Sequence, residues 1–185
     1  MRMTSERKAA TRERILAAAG ELFRTHGIDA VGVDAVMHRA GLTHGGFYAY
    51  FASKEALVAE VSAAALARSA ARWERISEAA EPAVALHRIV ESYLDAEHVA
   101  APAHGCVLAT LGPEMARRDE VRTGITASIR RMLDVLARCL PARRRQRALT
   151  TLATLVGAVV LARLCDDSRL AGEFLAAARR AAGLR

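Results

Sequence analysis

Aromatic residues and proline are scarce in this 185-residue chain. Phe, Trp and Tyr together make up 4% of the residues and there are four prolines, whereas there are 41 alanines. Aromatic side chains favour strands and proline interrupts helices, while alanine is the strongest helix former. The composition therefore argues against a β-rich protein and predicts an all-α fold.

Cysteines and long apolar runs are also few. Cys106, Cys139 and Cys165 are too scattered for a disulfide framework and fit a reducing compartment. The longest apolar run, residues 149–161, is shorter than the roughly 18 residues that a membrane span needs, and Arg163 follows it. The charged residues 1–11 contain no apolar signal core. We therefore expect a cytoplasmic protein that has no membrane partner.

Lysine is nearly absent, yet the chain is basic because of its arginines. There are two lysines and 25 arginines, and the net charge is +7. The excess is +2 over residues 1–55 and +5 over residues 56–185, so it is not concentrated in one segment. A basic protein attracts polyanions, but arginines spread over helix surfaces explain this charge equally well. Net charge alone is weak support for nucleic-acid binding.

Apolar residues recur at helical spacing over most of the chain. The predicted helices cover residues 5–26, 33–40, 44–50, 54–79, 82–99, 106–118, 120–140, 142–165 and 168–182. Glycine and capping residues separate them. The predicted helix ends are Gly27 and Gly41, and the predicted N-caps are Thr43, Ser53, Asp119, and either Asp167 or Ser168.

Residues 33–50 form a helix-turn-helix pattern of two short helices joined by a glycine turn. A short second helix can enter a DNA major groove, and Gly45 and Gly46 on it would let the backbone approach a duplex closely. Helix pairs with a glycine turn also occur for packing reasons in many all-α folds. The pattern alone leaves both interpretations open.

Polar side chains around the second helix strengthen the DNA interpretation. The hydroxyls of Tyr48 and Tyr50 can reach phosphates or base edges. Lys54 lies at the start of the next helix, where its charge and the free N–H groups both attract phosphate.

The run from Ala40 to Leu57, AGLTHGGFYAYFASKEAL, resembles the DNA-binding signature of the TetR family of bacterial repressors. Residues 14–19 and 23–27 resemble that family's first helix, so the likeness covers about residues 10–58. The length and the nine predicted helices agree with the family plan. The resemblance implies an all-α fold, with a three-helix helix-turn-helix domain over residues 1–52 and a six-helix effector-binding and dimerisation bundle over residues 53–185.

The resemblance also assigns DNA-binding roles by position. The implied DNA-binding residues are Val33 and Asp34 on the supporting helix, His44, Gly45 and Gly46 nearest the bases, and Thr43, Tyr48, Tyr50 and Lys54 at phosphates. Gly32 departs from the family pattern, which usually has Thr or Ser there, so a hydroxyl cap is missing. We expect Phe47 and Phe51 to face the core of the small domain.

The effector half offers candidates for a ligand pocket, which in bundles forms between helices. The candidate effector-binding residues are Trp73, Leu86, Tyr93, Cys106, Leu108, Leu111, Met115, Ile129 and Met132. For each of them, ordinary core packing is the alternative interpretation.

Cys106 is the most specific of these candidates, because it follows a glycine at the start of a short predicted helix. A helix N-terminus favours the reactive thiolate form of a cysteine. Residues 105–108, Gly-Cys-Val-Leu, resemble a motif in the TetR subgroup that includes the N-ethylmaleimide-reductase repressor, whose cysteine senses electrophiles and reactive chlorine. The lysine partner of that cysteine has no match here, since the only lysines are Lys8 and Lys54. A buried, inert cysteine is the alternative.

Metal binding has a weaker basis. His98, His104 and Cys106 are close in sequence, and a second set could share one helix face: His87, Glu91, Asp95 and His98. No tight spacing motif is present, so solvated histidines are the simpler interpretation. We predict no metal and no cofactor.

Two further alternatives concern a second site and an enzymatic activity. The basic run 143–147 suggests either a second DNA site or a solvated helix end. No nucleophile–base pair, phosphate loop or metal motif is readable, so an all-helical enzyme is not supported and no catalytic residue is predicted.

The sequence therefore predicts a ligand-responsive repressor that binds a palindromic DNA operator as a homodimer. A small-molecule effector of unknown identity would release it from the operator. The resemblance places the dimer interface on the last two helices, and a face of small residues, Ala153, Gly157 and Ala158, fits that role. The main alternative is a redox- or electrophile-sensing regulator that acts through Cys106.

Overall fold

Residues 5–183 are described by a computed structural model, and this part of the chain contains helices and no strand. The α-helices are α1 Ser5–His26, α2 Val33–Arg39, α3 Lys54–Glu78, α4 Pro82–Tyr93, α5 Ala96–Ala100, α6 Val107–Met115, α7 Asp119–Cys139, α8 Arg144–Leu164 and α9 Ser168–Ala181. Two short 3-10 helices cover His44–Ala49 and Pro102–His104. The all-α prediction is confirmed. Residues 1–4 and 184–185, the outer ends of the two predicted domains, lie outside the described residues, and the division itself stays a prediction.

The first three helices enclose a small apolar core. Ile15 and Phe23 of α1 are buried, as are Val36 and Met37 of α2 and Phe47 of the following 3-10 helix. Phe51 is also buried, so the expectation that both phenylalanines face the core is confirmed. This core fixes α2 and the His44–Ala49 helix relative to α1.

The turn between α2 and the His44–Ala49 helix is a Schellman motif centred on Gly41. Gly41 has φ +69° and donates its N–H to the carbonyl of His38 at 2.9 Å, while Leu42 N–H donates to Met37 O at 2.9 Å. This pair of bonds satisfies the last carbonyls of α2, and the left-handed backbone is accessible to glycine without strain. Gly41 therefore sets the angle between the two helices.

Ser53 and Thr43 behave differently as N-caps. Ser53 Oγ accepts the Ala56 N–H at 3.0 Å, as predicted. Thr43 makes no side-chain cap, so that prediction is wrong. The helix after Thr43 is a 3-10 helix, and the main chain itself closes its first turn because Gly46 N–H donates to Thr43 O at 3.1 Å. The hydroxyl is therefore not needed as a cap.

The N-cap of α7 is Arg118 and not Asp119, which corrects a second prediction. Asp119 is the first helical residue, and its exposed carboxylate accepts from Arg122 at 2.8 Å. Arg118 is held in place by its own side chain, which reaches Asp29 and Glu55. At α9, Asp167 is the N-cap and accepts the Arg169 N–H at 2.8 Å, as one of the two predicted alternatives.

The helix predicted over residues 82–99 is broken into α4 and α5. In an unbroken helix the Tyr93 carbonyl would accept the N–H of residue 97. Here the imidazole Nδ1–H of His98 donates to that carbonyl instead, and Leu94 and Asp95 are not helical. The segment predicted as a loop after it contains the Pro102–His104 turn.

Helices α3 and α7 form the most extensive pair in the bundle, and they run parallel. Glu55 near the start of α3 contacts Arg118 just before α7, and Glu74 near the end of α3 contacts Arg131 of α7 at 2.7 Å. The basic run that follows α7, residues 143–147, therefore lies at the end of the bundle remote from the His44–Ala49 helix. It is not part of the surface that carries the predicted DNA-binding residues.

Helix α8 is long and apolar enough to meet the composition test for a membrane span, contrary to the expectation that none would. Part of its apolar stretch is buried inside the protein. It packs against α6, α7 and α9. A core helix of a globular protein meets the same test, so this helix is not support for membrane insertion.

We predict that Ser53→Ala lowers the free energy of unfolding by about 1 kcal/mol, because the mutation removes the cap of α3. Thr43→Ala is the matched control and is expected to change it by less than about 0.5 kcal/mol. Urea unfolding followed by circular dichroism measures both. Equal losses in the two variants would contradict the assignment of the caps.

Candidate nucleic-acid interface and effector cavity

The His44–Ala49 helix is anchored on one side and exposed on the other. Phe47 is fully buried and its ring stacks on Phe51 with centroids 5.7 Å apart. The Tyr48 and Phe47 rings pack edge to face with their centroids 5.3 Å apart, yet 67% of the Tyr48 surface is exposed. An exposed aromatic residue fixed by a buried neighbour is a rigid contact surface for another molecule.

None of the nine predicted DNA-binding residues is buried. Five of them are exposed: Asp34, Thr43, His44, Gly45 and Tyr48; four are partly exposed: Val33, Gly46, Tyr50 and Lys54. They lie at the start of α2, along the His44–Ala49 helix and at the start of α3. Their contact with DNA stays a prediction.

Asp34 and His44 contact each other across this surface, through the Asp34 carboxylate and the imidazole Nδ1. The carboxylate has the same sign of charge as a phosphate, so its own approach to a DNA backbone is unfavourable. Its contact with the imidazole instead orients His44 at the first turn of the exposed helix.

Gly32 is the N-cap of α2, with φ −80° and ψ 162° and no side-chain cap. A Cβ at this position would meet no atom within 4 Å. Packing therefore does not require a glycine at this position.

A cavity of about 370 Å³ lies where α3, the α4–α5 junction and the segment before α6 meet. Its lining residues are Ser69, Arg72, Trp73, Ser92, Tyr93, Asp95, Glu97, His98, Ala101, His104, Gly105 and Cys106. Three of the predicted effector-binding residues, Trp73, Tyr93 and Cys106, are among them. The other six, Leu86, Leu108, Leu111, Met115, Ile129 and Met132, belong to the apolar core or pack against it.

His98 joins the two sides of this cavity. Its Nδ1–H donates to the Tyr93 carbonyl, and its Nε2 accepts the Cys106 N–H at 2.9 Å. This arrangement requires the neutral imidazole, since a proton on Nε2 would oppose the amide proton. Burial lowers the pKa of His98, the bond to Tyr93 opposes this, and the charges of Arg163 and Arg72 lower the pKa further.

Both ring nitrogens of His98 are thus hydrogen-bonded, so neither can coordinate a metal ion in this arrangement. Within residues 5–183, no three His, Cys, Asp or Glu side chains come together as a metal site.

Tyr93 carries a buried hydroxyl that makes no hydrogen bond within residues 5–183. It lies beside the Cys106 thiol, and burial, with a smaller effect of Cys106, raises the pKa of Tyr93 well above its ordinary value. A buried hydroxyl without a partner is unusual in a folded protein and marks a position where another molecule can bind.

Arg163 of α8 holds the cavity wall in place. Its guanidinium donates to Val99 O at 3.0 Å, to Thr110 Oγ1 at 2.8 Å and to His98 O at 2.7 Å. A Cβ on Gly105 would lie 2.8 Å from Arg163 Nη2 and 3.0 Å from the His98 ring. The glycine of the Gly-Cys motif is therefore needed for this close packing.

The first helices of the chain are joined to the cavity wall by side chains that the sequence did not single out. Arg24 of α1 donates to Ala103 O, on the 3-10 turn next to the cavity. Glu114 of α6 accepts the N–H groups of Ile28 at 2.7 Å and Asp29 at 3.3 Å, just after α1. No local pattern marks these long-range contacts.

Residues 15–61 match the family model described as "Bacterial regulatory proteins, tetR family". This stretch contains the exposed helix and its anchor. The family that this model describes consists of regulatory proteins. A comparison with curated protein sequences finds no match.

Solved structures share the fold over nearly the whole chain. A TetR-family transcriptional regulator from Agrobacterium tumefaciens is 20% identical with a TM-score of 0.79, covering 94% of this chain and 98% of that chain. The reduced form of E. coli NemR is 20% identical with a TM-score of 0.75. The match covers 92% of this chain and 96% of that chain. A TetR-family regulator from Streptomyces coelicolor is 19% identical with a TM-score of 0.76, covering 95% of each chain. At these identities the likeness establishes the fold.

We predict that His98 contributes stability at neutral pH that is lost in acid. Because folding lowers the pKa of His98, this contribution is complete above the unfolded pKa of about 6.5 and is lost as the pH falls through the folded value. In His98→Asn, the free energy of unfolding should fall less between about pH 7.5 and about pH 5 than in the unmodified protein. His87→Asn, an exposed position on α4, is the control and should keep the original slope. An unchanged slope in His98→Asn would refute the prediction.

Proposed function

Because residues 15–61 belong to the tetR family of bacterial regulatory proteins and the chain has the fold of such regulators, we propose that the protein is a ligand-responsive repressor. It acts in the cytoplasm as a homodimer, binds a palindromic operator and leaves it when a small molecule binds. The observation that carries the proposal is the exposed His44–Ala49 helix, which Phe47 fixes to a rigid core.

In the proposed complex, one His44–Ala49 helix enters the major groove of each operator half-site. His44, Gly45 and Gly46 lie nearest the bases, where the lack of side chains at the two glycines permits close approach. Tyr48 and Lys54 contact phosphates on either side. Phosphate contacts position the helix, and contacts with the base edges provide the specificity.

The proposed dimer forms through α8 and α9. Large apolar side chains are exposed on these helices: Leu149, Leu161, Leu164 and Leu170. Of the predicted small-residue face, Ala153 is exposed and Gly157 is half-buried, while Ala158 packs inside the subunit. A partner subunit would cover the apolar surface, as homodimer interfaces do.

Release follows from the contacts between the cavity wall and α1. An effector between Tyr93 and the Pro102–His104 turn would displace the Ala103 carbonyl that holds Arg24. Through Glu114 the same displacement reaches residues 28 and 29, and so the orientation of the DNA-facing helices. The effector must bind the released arrangement more tightly than the DNA-bound one for this to work.

Cys106 supports a second candidate function, a regulator that responds to oxidants or electrophiles. The buried thiol lines the cavity. Any modification of it would enlarge a buried side chain at the cavity wall. A Cys106→Ser variant that still leaves DNA on oxidation, with Cys139→Ser as the matched control, would exclude this function.

We predict that Gly45→Ala weakens operator binding about tenfold, or about 1.4 kcal/mol, because a methyl group would lie between the helix and the bases. A Cβ on Gly45 meets no atom within 4 Å in the free protein, so the variant should fold normally. Fluorescence anisotropy at about 150 mM salt measures the affinity, since phosphate contacts are salt-dependent.

The control for this experiment is Gly112→Ala on α6, where a Cβ also meets no atom within 4 Å. It should bind DNA from the gene's own upstream region as the unmodified protein does. Equal binding of the unmodified protein to upstream and random DNA, after removal of any bound small molecule by unfolding and refolding, would refute the repressor proposal.

We predict that Leu164→Glu converts the dimer to a monomer, because it places a charge in the proposed interface, where Leu164 is 76% exposed in the single subunit. Val84→Glu on α4, 45% exposed, is the matched control and should stay dimeric. Light scattering after size-exclusion chromatography gives both masses. A dimeric Leu164→Glu variant would place the interface elsewhere.

A further inference from the structure

We propose that the cavity beside Tyr93 binds small aromatic carboxylates, with the acid group at the Tyr93 hydroxyl and the ring against Trp73. The inference rests on the proposed function in one respect: it takes this cavity as the effector site. It adds the chemical class of the effector.

The size of the cavity suits a small ligand. Its volume of about 370 Å³ lies at the lower end of the range for small-molecule sites, which is about 300–1,000 Å³. A ring with a short acidic side chain fits such a volume. A long acyl chain or a multi-ring compound would require the walls to move.

The Tyr93 hydroxyl provides the polar contact. It is buried and makes no hydrogen bond within the described chain. A carboxylate oxygen at this position would accept its proton, and bonds between a hydroxyl and an ionised acceptor are stronger than those between neutral groups. The neighbouring His98 cannot supply this contact, because Tyr93 O and the Cys106 N–H occupy its two nitrogens.

The charges around the inner end of the cavity favour an anion. Arg24 and Arg163 lie near Cys106, and within residues 5–183 both guanidiniums bond only to neutral oxygens. Arg72 belongs to the lining itself, whereas Arg24 and Arg163 lie behind it. The lining carboxylates, those of Asp95 and Glu97, belong to exposed residues where water screens them.

The walls favour an aromatic ring. Trp73 and Tyr93 meet edge to face with centroids 5.9 Å apart, and Tyr93 and His98 do so at 4.7 Å. An aromatic ring of a ligand placed against Trp73, Tyr93 and His98 would make further ring–ring contacts of this type. The other cavity residues are small or polar, so an aliphatic ligand would find little apolar surface.

The test uses three compounds that differ in one property each: 3-phenylpropionate, its amide, and 3-cyclohexylpropionate. Calorimetry gives the affinities, and fluorescence reports on the site because Trp73 is the only tryptophan in the chain. We expect 3-phenylpropionate to bind and to change the Trp73 emission. The amide and the cyclohexyl acid should each bind at least about tenfold more weakly, a difference of about 1.4 kcal/mol.

Variants locate the contacts. Tyr93→Phe should lower the affinity for 3-phenylpropionate about tenfold while leaving that for the amide nearly unchanged. It should unfold at the same or a higher temperature, since it removes an unsatisfied hydroxyl. Arg72→Gln should also weaken binding of the acid. Arg144→Gln is the matched control, because it lies on α8 about 28 Å before Arg163, and it should have no effect.

Two results would overturn the proposal: no saturable binding of the acid, or equal affinities for the acid and the amide in the unmodified protein. Neither measurement involves DNA, so a failure of the repressor proposal would be seen separately, in the operator titration. Release of operator DNA by 3-phenylpropionate, lost in Tyr93→Phe, would connect the two.

Discussion

The three hydrogen bonds of the Arg163 guanidinium hold together the part of the bundle on which the rest depends. A half-buried cation must have its donors satisfied, and here the acceptors are two carbonyls of α5 and a hydroxyl of α6. Those acceptors place His98 so that it closes the break after α4 and reaches the Cys106 amide. The same segment carries the Ala103 carbonyl that accepts from Arg24 of α1.

The first helices of the chain and the rest of the bundle are linked by polar contacts and not only by apolar packing. Glu114 bonds to the main chain after α1, Arg24 bonds to the turn beside the cavity, and Arg118 contacts Asp29 and Glu55. Polar contacts of this kind are directional, so a small displacement breaks them outright. An apolar interface would absorb the same displacement by sliding. Directional contacts therefore fix the orientation of the helices that carry the predicted DNA-binding residues.

The local sequence was enough to predict most helices, the glycine turns and the buried faces, because these depend on periodicity and on backbone freedom at Gly27 and Gly41. Two of the errors occurred where side-chain contacts, which periodicity does not encode, decide the local structure. His98 breaks the helix predicted over residues 82–99 by taking a carbonyl, and Arg118 becomes the cap in place of Asp119. Of the predicted effector residues, the three that line the cavity are Trp73, Tyr93 and Cys106. Periodicity marked the other six as apolar, and it cannot distinguish a cavity wall from a packed core.

The missing side chain of Gly105 leaves room for the Arg163 guanidinium and the His98 ring. A Cβ there would lie 2.8 Å from Arg163 Nη2 and 3.0 Å from the His98 ring, so one of these two side chains would have to shift. Arg163 bonds to α5 and α6, and His98 bonds to the amide that precedes α6. A change of one methyl group at this position would therefore be felt in α5, α6 and α8 together.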